Sequence, residues 1–279
     1  MARGADSLFE VEGRSLFDES DTTAPAPAPA NDEDANPTKV LATTIATEFL
    51  CPVTHELPIA PVIAKDGVVY ERAAIERWFE TKEGDPTSPS TGAVISTELI
   101  PAPQIRNTIE ALVKSGAIDG EVATAWKRKL ADETKVKELL AKTEGGDGDA
   151  MYVLGVWYEY GKNGLAIDKA QARAWYERSA AAGDIRGIAA IGECVLHGIG
   201  GSTDTSLGLV VITEAATKGS DYAAWVLGKA FFKGTSGLSK DPARARYWLK
   251  KIADGECAHK HLNNKAKATA AEWLRALDD

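Results

Sequence analysis

The chain has 279 residues, of which 44% are hydrophobic and 26% charged, and its formal net charge is −9. These values describe a globular chain of about two domains. Nothing in it forms a basic nucleic-acid stripe, and no apolar run approaches the roughly 18 residues that span a bilayer. The first residues lack the apolar core of a secretory signal, and Cys51, Cys194 and Cys257 are too widely spaced for a disulfide framework. The expected location is therefore the cytoplasm, with the nucleus as alternative, and no nucleic-acid or membrane partner is expected.

Residues 1–45 hold nine acids, Asp6, Glu10, Glu12, Asp18, Glu19, Asp21, Asp32, Glu33 and Asp34, against Arg3, Arg14 and Lys39. Two thirds of the net charge thus sits in this segment, which also contains the Ala-Pro alternation Ala24 to Ala30. Such a composition cannot bury enough apolar surface to offset its ordering entropy, so 1–45 is expected to be a disordered acidic tail. Within it, Ser7-Leu8-Phe9-Glu10 recurs as Ser15-Leu16-Phe17-Asp18, which is either chance or a duplicated docking motif.

Folded structure is expected to begin near Phe49. Val62-Ile63 and Val68-Val69-Tyr70 flank Asp66-Gly67, a hairpin signal. Ile75, Trp78 and Phe79 then share one helical face between Glu71 and Lys82. Gly84 to Gly92 reads as a loop, and Ile105, Ile109, Leu112 and Val113 mark a second helix ending near Gly116. A further helix is expected over residues 121–142, with Val122, Trp126, Leu130, Val136, Leu139 and Leu140.

From Ala150 onward the sequence repeats itself. Leu154-Gly155, Ile191-Gly192 and Leu227-Gly228 are 37 and 36 residues apart, as are Gly161, Gly198 and Gly234. Trp175, Val211 and Trp248 follow at 36 and 37, and Gly183, Gly219 and Gly255 at 36 and 36. A period in the thirties with two helical segments per unit means an α-solenoid. The expected fold class is mainly α: a small α+β unit of hairpin, helix, loop and helix, joined to a short α-solenoid of helix pairs. The expected division is 46–118 for the first unit and 119–149 for a connecting helix or half repeat, replacing a loose linker by a helical joint. Repeat one covers 150–186, a degenerate repeat two 187–223, repeat three 224–262, and a capping helix 263–279.

The run Phe49-Leu50-Cys51-Pro52-Val53, Glu56, Pro61-Val62, Asp66-Gly67, Tyr70-Glu71-Arg72, Ile75, Trp78, Ser88-Pro89, Thr91-Gly92, Leu99-Ile100-Pro101, Ile105-Arg106 and Ile109 resembles the U-box family in order and spacing. The resemblance implies a ubiquitin-protein ligase module with the shape of a RING domain but without zinc. The residues exclude zinc independently. A cross-braced RING needs eight ligands around two ions, whereas Phe49 to Ile118 contains one cysteine, Cys51, and one histidine, His55. Neither metal nor cofactor is expected. Polar side chains must then hold the loops, and the candidates are Glu56, Asp66, Arg72, Ser88 and Arg106, with Glu71, Arg77 and Asp85 beside them.

By the same resemblance, a ubiquitin-charged conjugating enzyme docks on Val53 and His55 of loop one, Trp78 of the helix, and Pro89 and Gly92 of loop two. From the residues alone, the alternative for Val53 and Pro89 is local packing, and Trp78 could be core. No catalytic residue is expected, because the thioester cysteine belongs to the partner and Cys51 occupies a structural position. This chain departs from the family pattern at Pro58, Ala60 and Ala102, and at Gly92. There, many active members carry Arg, Lys or Asn.

The repeats resemble the Sel-one-like family of tetratricopeptide-related helix pairs, through Ala150, Leu154-Gly155, Tyr158, Gly161, Asp168, Ala172, Trp175-Tyr176, Ala180 and Gly183. Leu227-Gly228, Phe231, Gly234, Asp241, Ala245, Trp248, Ala253 and Gly255 carry it again, while the middle unit has Val195, Val211 and Gly208 at the marked positions. The resemblance implies protein–protein interaction through the repeats, with a substrate or adaptor as partner, and a homodimer is compatible with it. The function expected is a U-box ubiquitin-protein ligase forming no covalent ligase intermediate; the alternative is a non-catalytic scaffold with a degenerate U-box. No P-loop, GxSxG, Rossmann fingerprint or metal cluster is present. Cys257, His259 and His261 lack a fourth ligand nearby.

Overall fold

The computed structural model describes Thr44, residues 47–81 and residues 84–278. The acidic segment and both Ser-Leu-Phe motifs lie outside the described residues. What is described divides into two compact units between Thr134 and Lys135.

In the first unit, strands β1 (Pro61–Ile63) and β2 (Val69–Glu71) form an antiparallel hairpin that pairs Val62 with Tyr70. Its turn is where the sequence puts it. Gly67 takes φ +78°, a conformation that costs glycine nothing, and the Asp66 carboxylate accepts from the Val68 amide at 3.0 Å. Helix α1 (Arg72–Thr81) follows directly and buries Ile75. A third strand, β3 (Ile100–Pro101), pairs with the free edge of β1 and gives the order β2-β1-β3. The periodicity does not reveal it, because two residues carry no alternation and Pro101 is tolerated only on an edge.

Helix α2 (Pro103–Lys114) opens on a proline, whose fixed φ suits the first helical position, and buries Ile109 and Val113. Helix α3 (Gly120–Glu144) follows after the turn at Gly116. Its Ala123 and Trp126 join Leu57, Ile109, Val113 and Ile118 in one apolar cluster. A second cluster gathers Cys51, Val62, Ala64, Tyr70 and Ile75 beneath the sheet. Fully burying such side chains contributes roughly 1.5–3 kcal/mol each, which matters in a unit this small.

The second unit stacks helix pairs: α4 (Gly148–Tyr160) with α5 (Lys169–Ala181), α6 (Ile185–His197) with α7 (Thr205–Thr217), and α8 (Asp221–Lys233) with α9 (Pro242–Ala253). Each helix starts on a side-chain cap: Asp147, Asp168, Asp184, Asp204, Ser220 and Asp241 each accept from a first-turn amide. The repeat glycines fall into two kinds. Gly161, Gly198 and Gly234 end the first helix of each pair in the left-handed conformation. Gly155, Gly192 and Gly228 instead allow close approach: a Cβ on Gly155 would lie 2.5 Å from Tyr176, and one on Gly192 2.9 Å from Ile212.

The middle repeat has a physical reason for its departure. A Cβ on Gly208 would lie 2.6 Å from the backbone nitrogen of Leu196, so the alanine of the other units does not fit there. The last helix, α10 (Asn264–Ala276), lays Trp273 against Trp225 and Phe232 with ring centroids 4.9 and 4.7 Å apart. No helix among the described residues is long and apolar enough to cross a membrane.

Candidate functional site

Loop one (residues 51–60) is drawn into a tight turn by its own backbone. The Cys51 amide donates to the Glu56 carbonyl at 3.0 Å, and the His55 amide to the Cys51 carbonyl at 2.8 Å. His55 takes φ +56° with its side chain exposed. The Cys51 thiol faces the opposite way, fully buried in the apolar cluster, which is a structural position and not a nucleophile's. The far end of the loop is held at Pro58, Ile59 and Ala60: the Trp126 indole donates to the Pro58 carbonyl at 3.2 Å, and the Arg72 amide to the Ala60 carbonyl at 3.1 Å. Ile59 donates its amide to Glu71 at 2.7 Å and gives its carbonyl to Arg106 at 2.8 Å. Arg106 is itself fixed in a fork by Glu133, at 3.3 and 2.6 Å. That pairing raises the guanidinium pKa further above its ordinary value.

Loop two (residues 84–99) is organised around Ser88. Its hydroxyl oxygen accepts from the Ser90 and Thr91 amides at 3.1 and 2.9 Å, and its backbone pairs with Ala93 and Gly92 at 2.8 and 3.0 Å. Ser88 is 1% exposed and lies 3.4 Å from the Tyr70 hydroxyl, which in turn is 2.9 Å from Asp66. Burial alone would raise the Asp66 pKa. Hydrogen bonds from Ser88, Val68 and Tyr70 outweigh it and hold the carboxylate below its usual range. Burial, with Asp66 beside it, pushes the Tyr70 phenol up, so it stays a neutral donor. The Asp66–Tyr70–Ser88 chain thus ties the hairpin to loop two. A second tie runs from α1: the Trp78 indole N–H donates to the Thr87 carbonyl at 2.8 Å.

The expected polar candidates therefore divide. Asp66 and Ser88 meet through Tyr70, and Arg106 secures loop one. Glu56 pairs instead with Lys129 of α3. The Arg72 side chain does not join the loops: its partner is Glu76, one turn along its own helix at 3.3 Å, and only its backbone amide reaches loop one. Arg77 and Asp85 are exposed. Tyr70, Lys129 and Glu133 are the groups sequence reasoning missed. Tyr70 had a signal, since a tyrosine on a core-facing strand position needs a partner for its hydroxyl; Lys129 and Glu133 lie beyond the expected unit and had none.

Among the expected docking residues, Val53 is half-buried against the Cys51–Tyr70–Ile75 cluster, His55 is exposed, and Trp78 and Pro89 are half-buried. Gly92 is exposed at φ +72° with open space around its Cβ direction. The two loops are thus each tied to the rest of the unit, loop one through Glu71 and Arg106 and loop two through Tyr70 and Trp78. In the repeats, burial pushes the Cys194 thiol up to about 12 and that of Cys257 upward. Cys257 is buried while His259 and His261 are exposed, and among the described residues no group of three His, Cys, Asp or Glu could hold a metal ion.

Comparison with known proteins locates both units. Residues 45–117 match the family model of the U-box domain, and residues 148–184 and 221–256 match the Sel1 repeat. A protein of Acanthamoeba polyphaga mimivirus provisionally named a bifunctional E2/E3 enzyme is 50% identical over 52 residues, 19% of this chain and 4% of that protein. U-box domain-containing protein 20 of Arabidopsis thaliana is 44% identical over 109 residues, 37% of this chain and 25% of that protein. WD repeat, SAM and U-box domain-containing protein 1 of Danio rerio is 53% identical over 53 residues, 19% and 10% respectively. The chain spans only 4% to 25% of the length of these three relatives. A solved Sel1 repeat protein from Oxalobacter formigenes aligns with 50% of this chain and 98% of its own, at 29% identity and a TM-score of 0.39. The segment without a Sel1 match includes the helix pair that contains Gly208. The chain carries a U-box domain over residues 45–117 and Sel1 repeats over residues 148–184 and 221–256.

Proposed function

We propose that this protein is a ubiquitin-protein ligase of the U-box type. It binds a ubiquitin-charged conjugating enzyme through Val53 and His55 of loop one, Trp78 of α1, and Pro89 and Gly92 of loop two. The observation that carries this reading is the metal-free brace, Asp66–Tyr70–Ser88 with Trp78–Thr87, beneath those two loops. Rigid loops hold the partner's thioester in one orientation toward the acceptor amine, so the contribution is proximity and alignment without a covalent ligase intermediate. A half-buried apolar patch with a polar rim suits a weak, reversible encounter.

The repeats recruit the substrate or an adaptor, a homodimer is compatible with the reading, and three free, buried cysteines fit a reducing compartment, the cytoplasm or nucleus. One observation favours a second reading, a non-catalytic scaffold: Gly92 supplies no side-chain donor to the ubiquitin conjugate. Autoubiquitination with activating enzyme, ubiquitin and a panel of conjugating enzymes separates the two. Ladders that depend on Val53 and Pro89 support the ligase. Their absence with every conjugating enzyme, from folded protein, supports the scaffold.

A further inference from the structure

The first helix of each repeat ends on one column of residues, Tyr160, His197 and Lys233, just before the left-handed glycines. Around this column the exposed and half-buried groups are aromatic rings and cations. Lys162 and Lys169 lie 5.8 and 5.2 Å from the centre of the Tyr160 ring, and Lys233 lies 5.0 Å from that of Trp273. Trp273 stacks on Phe232 of α8, which shares a helical face with Lys229 and Lys233. Lys229 acts on α6 too: after burial, it is what lowers the His197 pKa. The carboxylates on this side do not cancel the cations. Glu159 is buried, accepts from the Tyr176 hydroxyl at 2.7 Å and lies 3.5 Å from Lys169. Burial raises Glu193 to about 7, which Tyr222 and Lys229 oppose only in part. Asp168, Asp204 and Asp241, on the turns that follow, each cap the next helix. Lys162, Lys229 and Lys233 form no ion pair among the described residues.

The charge of the chain is divided in a matching way. Residues 221–279 hold eleven Lys and Arg against seven Asp and Glu, whereas residues 1–45 hold nine acids against three bases. The acidic segment contains two Leu-Phe pairs, Leu8-Phe9 and Leu16-Phe17, eight residues apart and each followed by an acid, Glu10 and Asp18. Eight residues of extended chain span at most about 26 Å. Packed helices lie roughly 10 Å apart, so the first helices of repeats one and three are on the order of 20 Å from each other. One pair can therefore reach Tyr160 while the other reaches Phe232 and Trp273. From Asp18 to Thr44 the chain takes twenty-six residue steps. That tether extends up to about 85 Å, against roughly 40 Å across a unit of this size.

We propose that the segment Ser7–Asp18 of this same chain docks along this row, its Leu-Phe pairs on the rings of repeats one and three and its acids against Lys162, Lys229 and Lys233. Because the segment is tethered, the encounter is intramolecular and a weak contact suffices. Only the consequence, that a recruited partner must displace the segment from the repeats, rests on the ligase reading. The test is fluorescence anisotropy of a labelled peptide of residues 5–20 with two full chains. One is wild type; the other carries Leu8→Ala, Phe9→Ala, Leu16→Ala and Phe17→Ala, which change no described residue. The peptide binds the tail variant, and binds wild type at least tenfold more weakly because the tethered segment competes. A scrambled peptide of the same composition binds the variant at least tenfold more weakly. Lys229→Met with Lys233→Met, added to the tail variant, keeps the apolar stems and weakens binding at least tenfold, while Lys65→Met stays within twofold. No binding by the folded tail variant, equal binding by wild type, equal binding of the scrambled peptide, or unchanged affinity in the lysine variant overturns the proposal. Sedimentation tests a second copy as the occupant: a wild-type dimer that the four tail substitutions dissociate also overturns it. The assay contains neither conjugating enzyme nor ubiquitin, so its failure leaves the ligase reading standing, and a failed ligase leaves this result intact.

Discussion

The indole N–H of Trp78 donates to the carbonyl oxygen of Thr87 at 2.8 Å. This contact joins the middle of α1 to loop two, immediately before Ser88 and Pro89. Trp78 is therefore both part of the proposed docking surface and a strut for it. Trp78→Phe keeps most of the apolar ring and loses only the donor. The expected cost is about 1 kcal/mol of stability, a fall of roughly 4–8 °C in the melting temperature of a small domain. Ubiquitin transfer should fall severalfold more than the loss of folded protein explains. A thermal melt beside a transfer assay checks this, and equal transfer per folded molecule would show that loop two needs no strut.

Ser88 is the node of the polar brace. Ser88→Ala leaves the Ser90 and Thr91 amides without their acceptor and removes one partner of Tyr70 and Asp66. A loss on the order of 2–3 kcal/mol is expected in denaturant melts, more than for a surface serine. If the brace holds the loops in place of metal, as proposed, a chelator should leave both melting and transfer unchanged. Loss of helical signal on chelation would contradict the assignment of these residues.

Gly92 has room for a side chain but sits in a left-handed conformation. Gly92→Asn adds a donor that tolerates this backbone, whereas Gly92→Arg carries a backbone cost of roughly 1 kcal/mol. If loop two faces ubiquitin as proposed, Asn should accelerate transfer about fivefold, the equivalent of roughly one added hydrogen bond. Steady-state rates with a single conjugating enzyme decide it, and an unchanged rate would place Gly92 away from the conjugate.

In the repeats, burial raises the Glu193 carboxyl to about 7, against a hydrogen bond from Tyr222 that lowers it. A carboxyl with a raised folded pKa binds its proton more tightly in the native state. Its stabilising contribution is complete below the unfolded value near 4.5 and is lost as pH rises toward 7. Glu193→Gln should flatten that dependence and stabilise the unit at pH 8 by on the order of 1–2 kcal/mol, less than the full shift implies because the residue keeps some solvent contact. Urea melts at pH 5 and pH 8 test the sign. Greater stability of the wild type at pH 8 through this group would refute it.

How much of this was legible in the sequence depends on the length scale of each signal. The hairpin at Asp66-Gly67, the helices around Ile75 and Ile109, and the repeat columns at Gly155 and Gly161 are local patterns that recur or alternate, so they can be read without coordinates. Strand β3 escapes because two residues have no period. Arg72 illustrates a different limit. Its charge type suggests a bridge between loops, but its helical position puts Glu76 within reach one turn away, and a local partner needs no loop closure. Tyr70 and Ser88 are eighteen positions apart and Arg106 and Glu133 twenty-seven. Such pairings are fixed by tertiary packing, and composition lists candidates for them without choosing. Gly208 reads as degeneracy in one dimension and as a required close approach in three.

As proposed, the Val53 surface recruits a charged conjugating enzyme and promotes discharge of its ubiquitin. The most direct measurement is single-turnover discharge from a pre-charged conjugating enzyme to free lysine, comparing wild type with Val53→Ala. Truncating this half-buried valine should cost about 1 kcal/mol of stability or less, leaving the protein folded. Accelerated discharge is expected with the wild type, and a rate near background with the folded variant. Equal discharge by both proteins would contradict the docking surface, and no acceleration by the wild type with any conjugating enzyme would contradict the ligase itself.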